Sequence, residues 1–119
     1  MAINNRLIGS VYEKQACHKL TESGYKIIEK NFRCKLGEID LIALHGEYLV
    51  FVEVKYRNSV HRYGYASEAV DTKKQATIYK VAQWYLCIHK QYINRPCRFD
   101  VVAIDGSRTE IIKNAFGGF

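Results

Sequence analysis

Two carboxylates and one ammonium interrupt two strongly apolar stretches in the middle of the chain. Asp40 lies in "GEIDLIALH", and Glu53 and Lys55 lie in "YLVFVEVKYR". Apolar runs of this kind are typical of strands buried on both faces of a sheet. Alternation along the first strand places Ile39 and Leu41 on one face and Asp40 on the other. An unpaired carboxylate in such a strand would be destabilising, so it must be paired, protonated or bound to a metal ion.

The turn between these two strands decides whether the charged groups meet. If residues 46 and 47 form a two-residue Gly-X loop of type II′, counting back along both strands sets Asp40 directly opposite Glu53. Directly opposed residues share a face, with Cβ atoms about 5 Å apart. Lys55 shares that face, being two residues beyond Glu53. A four-residue loop gives the same pairing, whereas a three-residue loop would send the two carboxylates to opposite faces.

Two carboxylates at this distance create an electrostatic conflict that a metal ion would resolve. Each raises the pKa of the other unless a cation lies between them. Mg²⁺ and Mn²⁺ prefer oxygen ligands and keep several waters, one of which can become a nucleophile when the metal lowers its pKa. Lys55 would then orient the water or stabilise charge on a phosphate. The alternative is a structural Asp-Lys-Glu ion-pair cluster, since such networks also shift pKa values. Because Asp40 and Glu53 would lie opposite each other in strands that are apolar on both faces, we favour a metal site over an ion-pair cluster.

The elements that position these groups follow from hydrophobic periodicity and turn residues. Two helices are predicted, one at residues 4–23 before Gly24 and one from Asp71 or Thr72 to about Lys90. Five strands are predicted, at residues 25–33, 36–44, 48–56, 98–104 and 109–113. The order α-β-β-β-α-β-β describes an α/β fold with a mixed central sheet flanked by helices. The crossover through the second helix allows the third and fourth strands to be parallel.

Composition narrows the classes of protein. The 119 residues suit one domain, residues 1–119. No stretch approaches the roughly 20 apolar residues that cross a membrane, and no signal-peptide pattern opens the chain, so a cytoplasmic protein is expected. Eighteen Lys and Arg against twelve Asp and Glu give a net charge of +6, which favours a polyanionic partner, either nucleic acid or an anionic membrane face. The four cysteines and four histidines lack zinc-binding spacing, so oxygen ligands would hold any metal.

Five segments of the chain carry a resemblance to one protein family. They are "GSVYE" (9–13), "GEIDLIA" (37–43), "VFVEVKYR" (50–57), "SEAVDTKKQ" (67–75) and "PCRFDVVAID" (96–105). Through them the sequence resembles the YraN-like family of predicted endonucleases, within the restriction-endonuclease-like PD-(D/E)xK superfamily that includes archaeal Holliday-junction resolvases. The segments occur in order and, with the elements between them, cover nearly the whole chain. The resemblance implies a restriction-endonuclease-like fold.

The resemblance also implies roles for five residues. Asp40 and Glu53 correspond to the metal-binding carboxylates of the superfamily, and Lys55 corresponds to its catalytic lysine. Glu13 corresponds to the helical glutamate of the resolvase-like branch and would complete this ion site or a second one. Gln75 corresponds to a glutamine that some members carry, and it would hydrogen-bond Lys55, the water or a phosphate. Taken alone, Glu13 is typical of a surface ion pair and Gln75 of an exposed polar residue.

Further charged and aromatic residues surround these positions. Six basic residues are candidate phosphate contacts: Arg33, Lys35, Arg57, Arg62, Lys73 and Lys74. The last two lie near a helix N-terminus, which favours anions, and Tyr63 and Tyr65 could stack on unpaired bases. Each of these, taken alone, is more often a solvated charge or a loop aromatic. Asp100 also interrupts an apolar strand, and it is predicted to be a structural partner of Arg98 or of a backbone group.

The function implied by the resemblance is hydrolysis of phosphodiester bonds in DNA by a metal-dependent endonuclease with Mg²⁺ or Mn²⁺ as cofactor. DNA is then the partner, with branched or partly single-stranded forms as candidate substrates, and no membrane is involved. By analogy with junction resolvases, whose symmetric substrates need two active sites, a homodimer is expected. The alternative is a non-catalytic nucleic-acid-binding module on a nuclease-like fold. A third hypothesis is an RNA nuclease.

Overall fold

A computed structural model describes residues 5–57 and 70–117, which form one five-stranded sheet with a helix against each face. The helices are α1 (Asn5–Glu22) and α2 (Thr72–Ile88), and a short 3₁₀ turn (Lys90–Tyr92) follows α2. The strands are β1 (Lys26–Cys34), β2 (Gly37–His45), β3 (Tyr48–Arg57), β4 (Cys97–Asp105) and β5 (Arg108–Phe116). The predicted order of helices and strands is confirmed.

The five strands lie side by side in the order in which they occur in the chain. Every neighbouring pair is antiparallel except β3 and β4, which are parallel. A parallel pair needs a long crossover connection, and the chain segment that contains α2 provides it. The sheet is therefore mixed, as predicted, and its central strands are covered on both faces.

Both helices begin or end where the sequence places a capping signal. The side chain of Asp71 accepts a hydrogen bond from the backbone N–H of Lys74 at 2.8 Å, which satisfies a free donor in the first turn of α2. After α1, Gly24 adopts a φ of 94°, and the N–H of Tyr25 donates to the carbonyl of Leu20. A glycine in this left-handed region ends a helix at little cost.

Each helix packs on its own apolar cluster. The α2 cluster includes Ile39, Ile42, Phe51, Ile78, Val81 and Tyr85. The α1 cluster includes Ala16, Leu20, Leu41, Val50, Val52 and Val102. Because successive side chains of a strand point to opposite faces, β3 contributes to both clusters. The two helices are thus held against opposite sides of the strands that carry the charged residues.

The β2–β3 turn has the length that the pairing of the acids requires. His45 pairs with Tyr48, so the loop contains two residues, as predicted. Gly46 has a φ of 61° and the residue after it does not have a positive φ, which is the pattern of a type II′ turn. This register sets Asp40 and Glu53 opposite each other, one position beyond the last pair of the ladder.

The alternation of faces along β2 breaks at Asp40. Ile39 and Leu41 were expected on one face, but this prediction is wrong, since Ile39 packs in the α2 cluster and Leu41 in the α1 cluster. The cause is in the neighbouring strand, where Asn31 has a φ of 54° between Lys30, the partner of Leu41, and Phe32, the partner of Ile39. A residue in the left-handed region turns the strand about its axis, and both strands change face together.

Two further expectations concern the membrane and the cysteines. Neither α1 nor any other helix in the described ranges has the length and apolarity to cross a membrane. Cys17 and Cys34 are half-buried free thiols, and Cys87 and Cys97 are exposed free thiols. The four cysteines thus lie on α1, β1, α2 and β4, in keeping with their scattered spacing in the sequence.

Gly37, the first residue of β2, lets α2 approach the turn between β1 and β2. Its φ is 147°, and a Cβ atom built on it would lie 2.7 Å from Cγ2 of Thr77 and 3.4 Å from Cγ2 of Val81. A side chain at this position would therefore meet both backbone strain and a collision with α2.

We expect Gly37→Ala to lower the free energy of unfolding by about 2–3 kcal/mol, because it combines backbone strain with overpacking. Gly46→Ala is the matched control, since its φ of 61° is also positive but no atom lies within 4 Å of the added Cβ. It should cost only about 1–2 kcal/mol. Adding Thr77→Ser to Gly37→Ala should restore part of the loss. Urea denaturation measures all four proteins, and equal losses for the two alanine variants would contradict the close approach of α2.

Candidate functional site

Asp40 and Glu53 meet where the ladder between β2 and β3 ends. The last pair of that ladder is Leu41 with Val52, and the next position along each strand is an acid. The side-chain carboxyl groups of Asp40 and Glu53 lie within hydrogen-bonding reach of each other, and this contact helps to raise the pKa of Asp40. Because the loop between β2 and β3 contains two residues, the side chains of Asp40 and Glu53 lie together on one side of the hairpin, as predicted.

The carboxylate of Asp40 substitutes for a backbone acceptor. Oδ2 of Asp40 accepts a hydrogen bond of 2.8 Å from the backbone N–H of Val54. If the ladder continued, Val54 would lie opposite Ile39, but the ladder stops at Leu41 and Ile39 turns toward α2. A backbone N–H without a partner is costly, and Asp40 supplies that partner. The side chain of Asp40 is thereby fixed against the edge of β3.

The pair of carboxyls retains a proton at neutral pH. Desolvation by burial, followed by the hydrogen bond and the charge of Glu53, raises the pKa of Asp40 to about 8. The N–H of Val54 and the ammonium of Lys74 act in the opposite direction. Protonation of Asp40 is therefore one way in which the metal-free protein relieves the repulsion between the two acids.

Lys74, in the first turn of α2, supplies the cation of the site. Its Nζ lies 3.3 Å from Oε2 of Glu53, whose side chain is only 5% exposed. That oxygen has no hydrogen bond of good geometry within the part of the chain that the structure describes, so the contact is an ion pair. Burial disfavours the ammonium form of Lys74, but Glu53 and then Asp40 and Glu38 outweigh it and raise the pKa of Lys74. Sequence patterns indicated only a phosphate contact for Lys74, and its ion pair with Glu53 was not predicted.

Lys55 lies on the same face of β3 as Glu53, because the two are separated by one residue in a continuous ladder with β4. It is half-buried, and across residues 5–57 and 70–117 its ammonium forms no ion pair. The carboxyl pair thus takes its cation from α2, and Lys55 is left available to a bound ligand.

Glu13 reaches this region from α1, on the other side of Asp40. It belongs to the lining of a cavity of about 120 Å³ formed by Tyr12, Glu13, Asp40, Val54 and Tyr56. Oε1 of Glu13 accepts a hydrogen bond of 3.0 Å from Nδ2 of Asn31. No group of three or more His, Cys, Asp or Glu residues suited to a metal ion occurs among the residues described. Glu13 therefore lies beside the carboxyl pair without joining it.

Gln75 and Arg33 pair with residues other than Asp40 and Glu53. The amide of Gln75 donates to the carbonyl of Val70 at 2.9 Å, at the start of α2. Arg33 forms a 2.8 Å ion pair with Glu38 at the surface.

Lys35 and Lys73 are exposed, the first beside a separate cavity lined by Cys34, Leu36 and Trp84. The side chain of Arg57 lies outside the described residues. Arg62, Tyr63 and Tyr65 also lie outside them.

Asp100 shows how a buried acid is stabilised when it serves structure alone. It is fully buried, and its carboxylate accepts hydrogen bonds from the hydroxyl of Tyr25, the guanidinium of Arg98 and the backbone N–H of Asn114. The predicted pairing of Asp100 with Arg98 or a backbone group is confirmed. Every oxygen of Asp100 is satisfied, whereas the Asp40–Glu53 pair keeps a proton and an oxygen with only an ion pair.

The donor set of the carboxyl pair fits a divalent cation. Mg²⁺ is commonly bound by one or two carboxylates together with waters, which Asp40 and Glu53 could supply from their adjoining positions. A cation there would replace the shared proton and satisfy the second oxygen of Glu53. Glu13 lines the cavity beside Asp40 from the α1 side.

Comparison with known proteins gives a consistent result. A model of the uncharacterised protein family UPF0102 matches residues 12–104. A UPF0102 protein of Lachnoclostridium phytofermentans is 43% identical over 117 residues, which cover 98% of each chain. Another from Caldanaerobacter subterraneus subsp. tengcongensis is 53% identical over 104 residues, 86% of this chain and 82% of that protein. One from Moorella thermoacetica is 41% identical over 122 residues, 98% of this chain and all of that protein.

We expect Asp40→Asn to stabilise the metal-free protein at alkaline pH. Because the pKa of Asp40 is about 8 in the folded state and about 3.9 in unfolded chains, folding binds a proton between these values, and stability falls as pH rises through them. Asn needs no proton, so the variant should be more stable by about 2–5 kcal/mol near pH 9, with the difference vanishing below about pH 4.

Urea denaturation in EDTA across this range measures the effect. Asp100→Asn is the control and should destabilise at every pH, because it weakens the pairing with Arg98. A loss of stability by Asp40→Asn near pH 9 would show that the two acids do not repel each other.

Proposed function

The chain belongs to the uncharacterised protein family UPF0102, and we propose that it is a divalent-cation-dependent endonuclease that hydrolyses phosphodiester bonds in DNA. The observation that carries the proposal is the Asp40–Glu53 pair: two acids are brought together in apolar strands, burial and the contact with Glu53 raise the pKa of Asp40, and Oε2 of Glu53 has no hydrogen bond to a described residue. Lys55 extends from the same face with no ion pair to a described residue. Clustered ionisable groups whose pKa values are shifted by burial and by neighbouring charges are typical of functional sites.

The fold and the sequence motifs support the same proposal. We assign the chain to the restriction-endonuclease-like class because it resembles that superfamily through "GEIDLIA" and "VFVEVKYR". The hairpin of β2 and β3 carries the aspartate and the E-x-K motif, and α2 crosses over to a parallel β4. The net charge of +6 and the lysines at the start of α2 suit a polyanionic substrate. The same resemblance suggests a homodimer and branched or partly single-stranded DNA.

The residues of the site have separate tasks in this reaction. Asp40 and Glu53 would hold Mg²⁺ or Mn²⁺, which when bound supplies Lewis acidity and lowers the pKa of water. The N–H of Val54 fixes Oδ2 of Asp40, so that this ligand is oriented before the substrate arrives. Lys55 donates hydrogen bonds to a phosphate oxygen and stabilises the negative charge that develops as water attacks phosphorus. As the new bond from the water oxygen to phosphorus forms, the bond from phosphorus to the leaving sugar oxygen breaks; the attacking water loses a proton to solvent and the leaving oxygen takes one up from solvent.

A non-catalytic nucleic-acid-binding module is the second candidate. Two observations favour it: Lys74 already compensates Glu53, and no three-ligand cluster occurs in the two described ranges. On this hypothesis the Asp40–Glu53–Lys74 cluster stabilises the fold and the basic surface binds DNA. An RNA nuclease is the third candidate, distinguished from the first only by the substrate.

Cleavage of a panel of duplex, flapped, branched and single-stranded DNA tests the proposal, with Mg²⁺, Mn²⁺ or EDTA. Asp40→Asn, Glu53→Gln and Lys55→Met should each lower the rate of cleavage by about 100-fold or more, because each removes a ligand or the group that stabilises charge. Glu47→Gln and Lys90→Met make the same chemical changes at exposed positions and should leave the rate within about 2-fold of that of the wild type.

The other outcomes separate the candidates. Salt-sensitive binding by every protein without metal-dependent cleavage would favour the binding module and contradict the nuclease. Cleavage restricted to RNA in the same panel would replace the DNA substrate with RNA. Equal cleavage by the wild type and by Asp40→Asn would exclude this site as the catalytic centre.

A further inference from the structure

Asn31 is a strained residue directly beside the carboxyl pair. It lies in the interior of β1 with a φ of 54°, a conformation that few residues other than glycine adopt and that asparagine tolerates best. Asparagine is also depleted in strands. Strained residues of this kind concentrate at functional sites, so the contacts that Asn31 makes are informative.

A second strained asparagine, Asn114, differs from Asn31 in forming its described hydrogen bond through the backbone. Asn114 in β5 has a φ of 53°, and its backbone N–H donates to the carboxylate of Asp100 where the ladder between β4 and β5 changes register. Its backbone thus completes a fully buried network. Asn31 contributes a side-chain contact instead, and that contact reaches another element of the fold.

The backbone of Asn31 controls the position of Asp40. Asn31 lies opposite Asp40 in the ladder, between the pairs on either side of both residues. Its left-handed conformation turns β1 and β2 about their axes, so that Ile39 packs toward α2. The backbone N–H of Val54 then donates its hydrogen bond to the side chain of Asp40. The strained conformation of Asn31 in β1 is therefore linked to the orientation of the Asp40 side chain.

The side chain of Asn31 controls the position of Glu13. Nδ2 of Asn31 donates to Oε1 of Glu13 at 3.0 Å, which ties α1 to β1 beside the cavity that contains Asp40. Without this donor, the carboxylate of Glu13 would be repelled by the nearby acids and would turn toward solvent. A lysine in place of Asn31 would hold Glu13 but cancel its charge. A neutral amide holds the carboxylate and leaves its charge available.

We propose that Asn31 is a positioning residue that holds the carboxylate of Glu13 at the cavity beside Asp40, so that the charge of Glu13 strengthens divalent-cation binding by the Asp40–Glu53 pair. This inference rests on the proposed function, since it assumes that the carboxyl pair binds a metal ion. It accounts for asparagine at a strand position: glycine would supply the backbone conformation without the donor, and other side chains with a donor adopt that conformation less readily. Glu13 then contributes charge to the site even though it lies outside the pair.

Titration of the metal-free protein with Mn²⁺ alone, followed by calorimetry, tests the inference without relying on activity. Asn31→Gly keeps the left-handed backbone and removes the donor, so it should fold and weaken Mn²⁺ binding by about 10-fold. Glu13→Gln should weaken binding by a similar factor. The double variant should bind no more weakly than Glu13→Gln alone, because Asn31 acts through Glu13. Urea denaturation of each variant separates this effect from lost stability.

Four results would overturn the inference. Mn²⁺ binding by Asn31→Gly as tight as that of the wild type would show that the amide has no role. Additive losses in the double variant would show that Asn31 does not act through Glu13. If Asn31→Gly fails to fold, Glu13→Ala decides the matter, since unchanged Mn²⁺ binding there excludes Glu13 from the site. A wild type that binds no Mn²⁺ and cleaves no nucleic acid would remove the proposed function and this inference together.

Discussion

The repulsion between two carboxyl groups held side by side in apolar strands is the constraint on which the rest of the site depends. The two-residue loop of β2 and β3 sets Asp40 against Glu53, and the protein relieves the conflict with a shared proton and the ammonium of Lys74. Neither the proton nor the ammonium of Lys74 satisfies the carboxyl oxygens as fully as the hydrogen bonds around Asp100 satisfy that carboxylate. A fold selected only for stability would have no reason to keep two acids here, since apolar residues of similar volume are often at least as stable.

The surrounding helices and strands hold the carboxyl groups of Asp40 and Glu53 together despite their repulsion. The two apolar clusters, one under each helix, exclude water from both faces of the central strands. Gly37 lets α2 approach β2, and the cap at Asp71 fixes the first turn from which Lys74 reaches Glu53. On the other side, α1 presents Glu13 to the cavity beside Asp40. The stability of the sheet thus supports a site that is itself unfavourable without a ligand, as is common where function requires strain.

Local patterns in the sequence were sufficient for the order of elements, the hairpin loop and the meeting of Asp40 with Glu53, because periodicity and turn residues act over a few positions. They were insufficient for two features. The ion pair between Lys74 and Glu53 depends on where α2 packs against the sheet. No local sequence pattern encodes that position. The left-handed conformation of Asn31 reverses the faces of β1 and β2, so the alternation rule failed at Ile39. An asparagine inside an otherwise strand-like segment was the one available signal.

The titration of the Asp40 side-chain carboxyl by ¹³C NMR, without metal and with saturating Mg²⁺, tests the central claim most directly. In the metal-free protein we expect a pKa of about 8 for Asp40. With Mg²⁺ present, the carboxyl should stay ionised well below that pH, because the cation takes the place of the proton. A pKa near the ordinary value of about 3.9, unmoved by Mg²⁺, would show that the two acids neither share a proton nor bind a common ion.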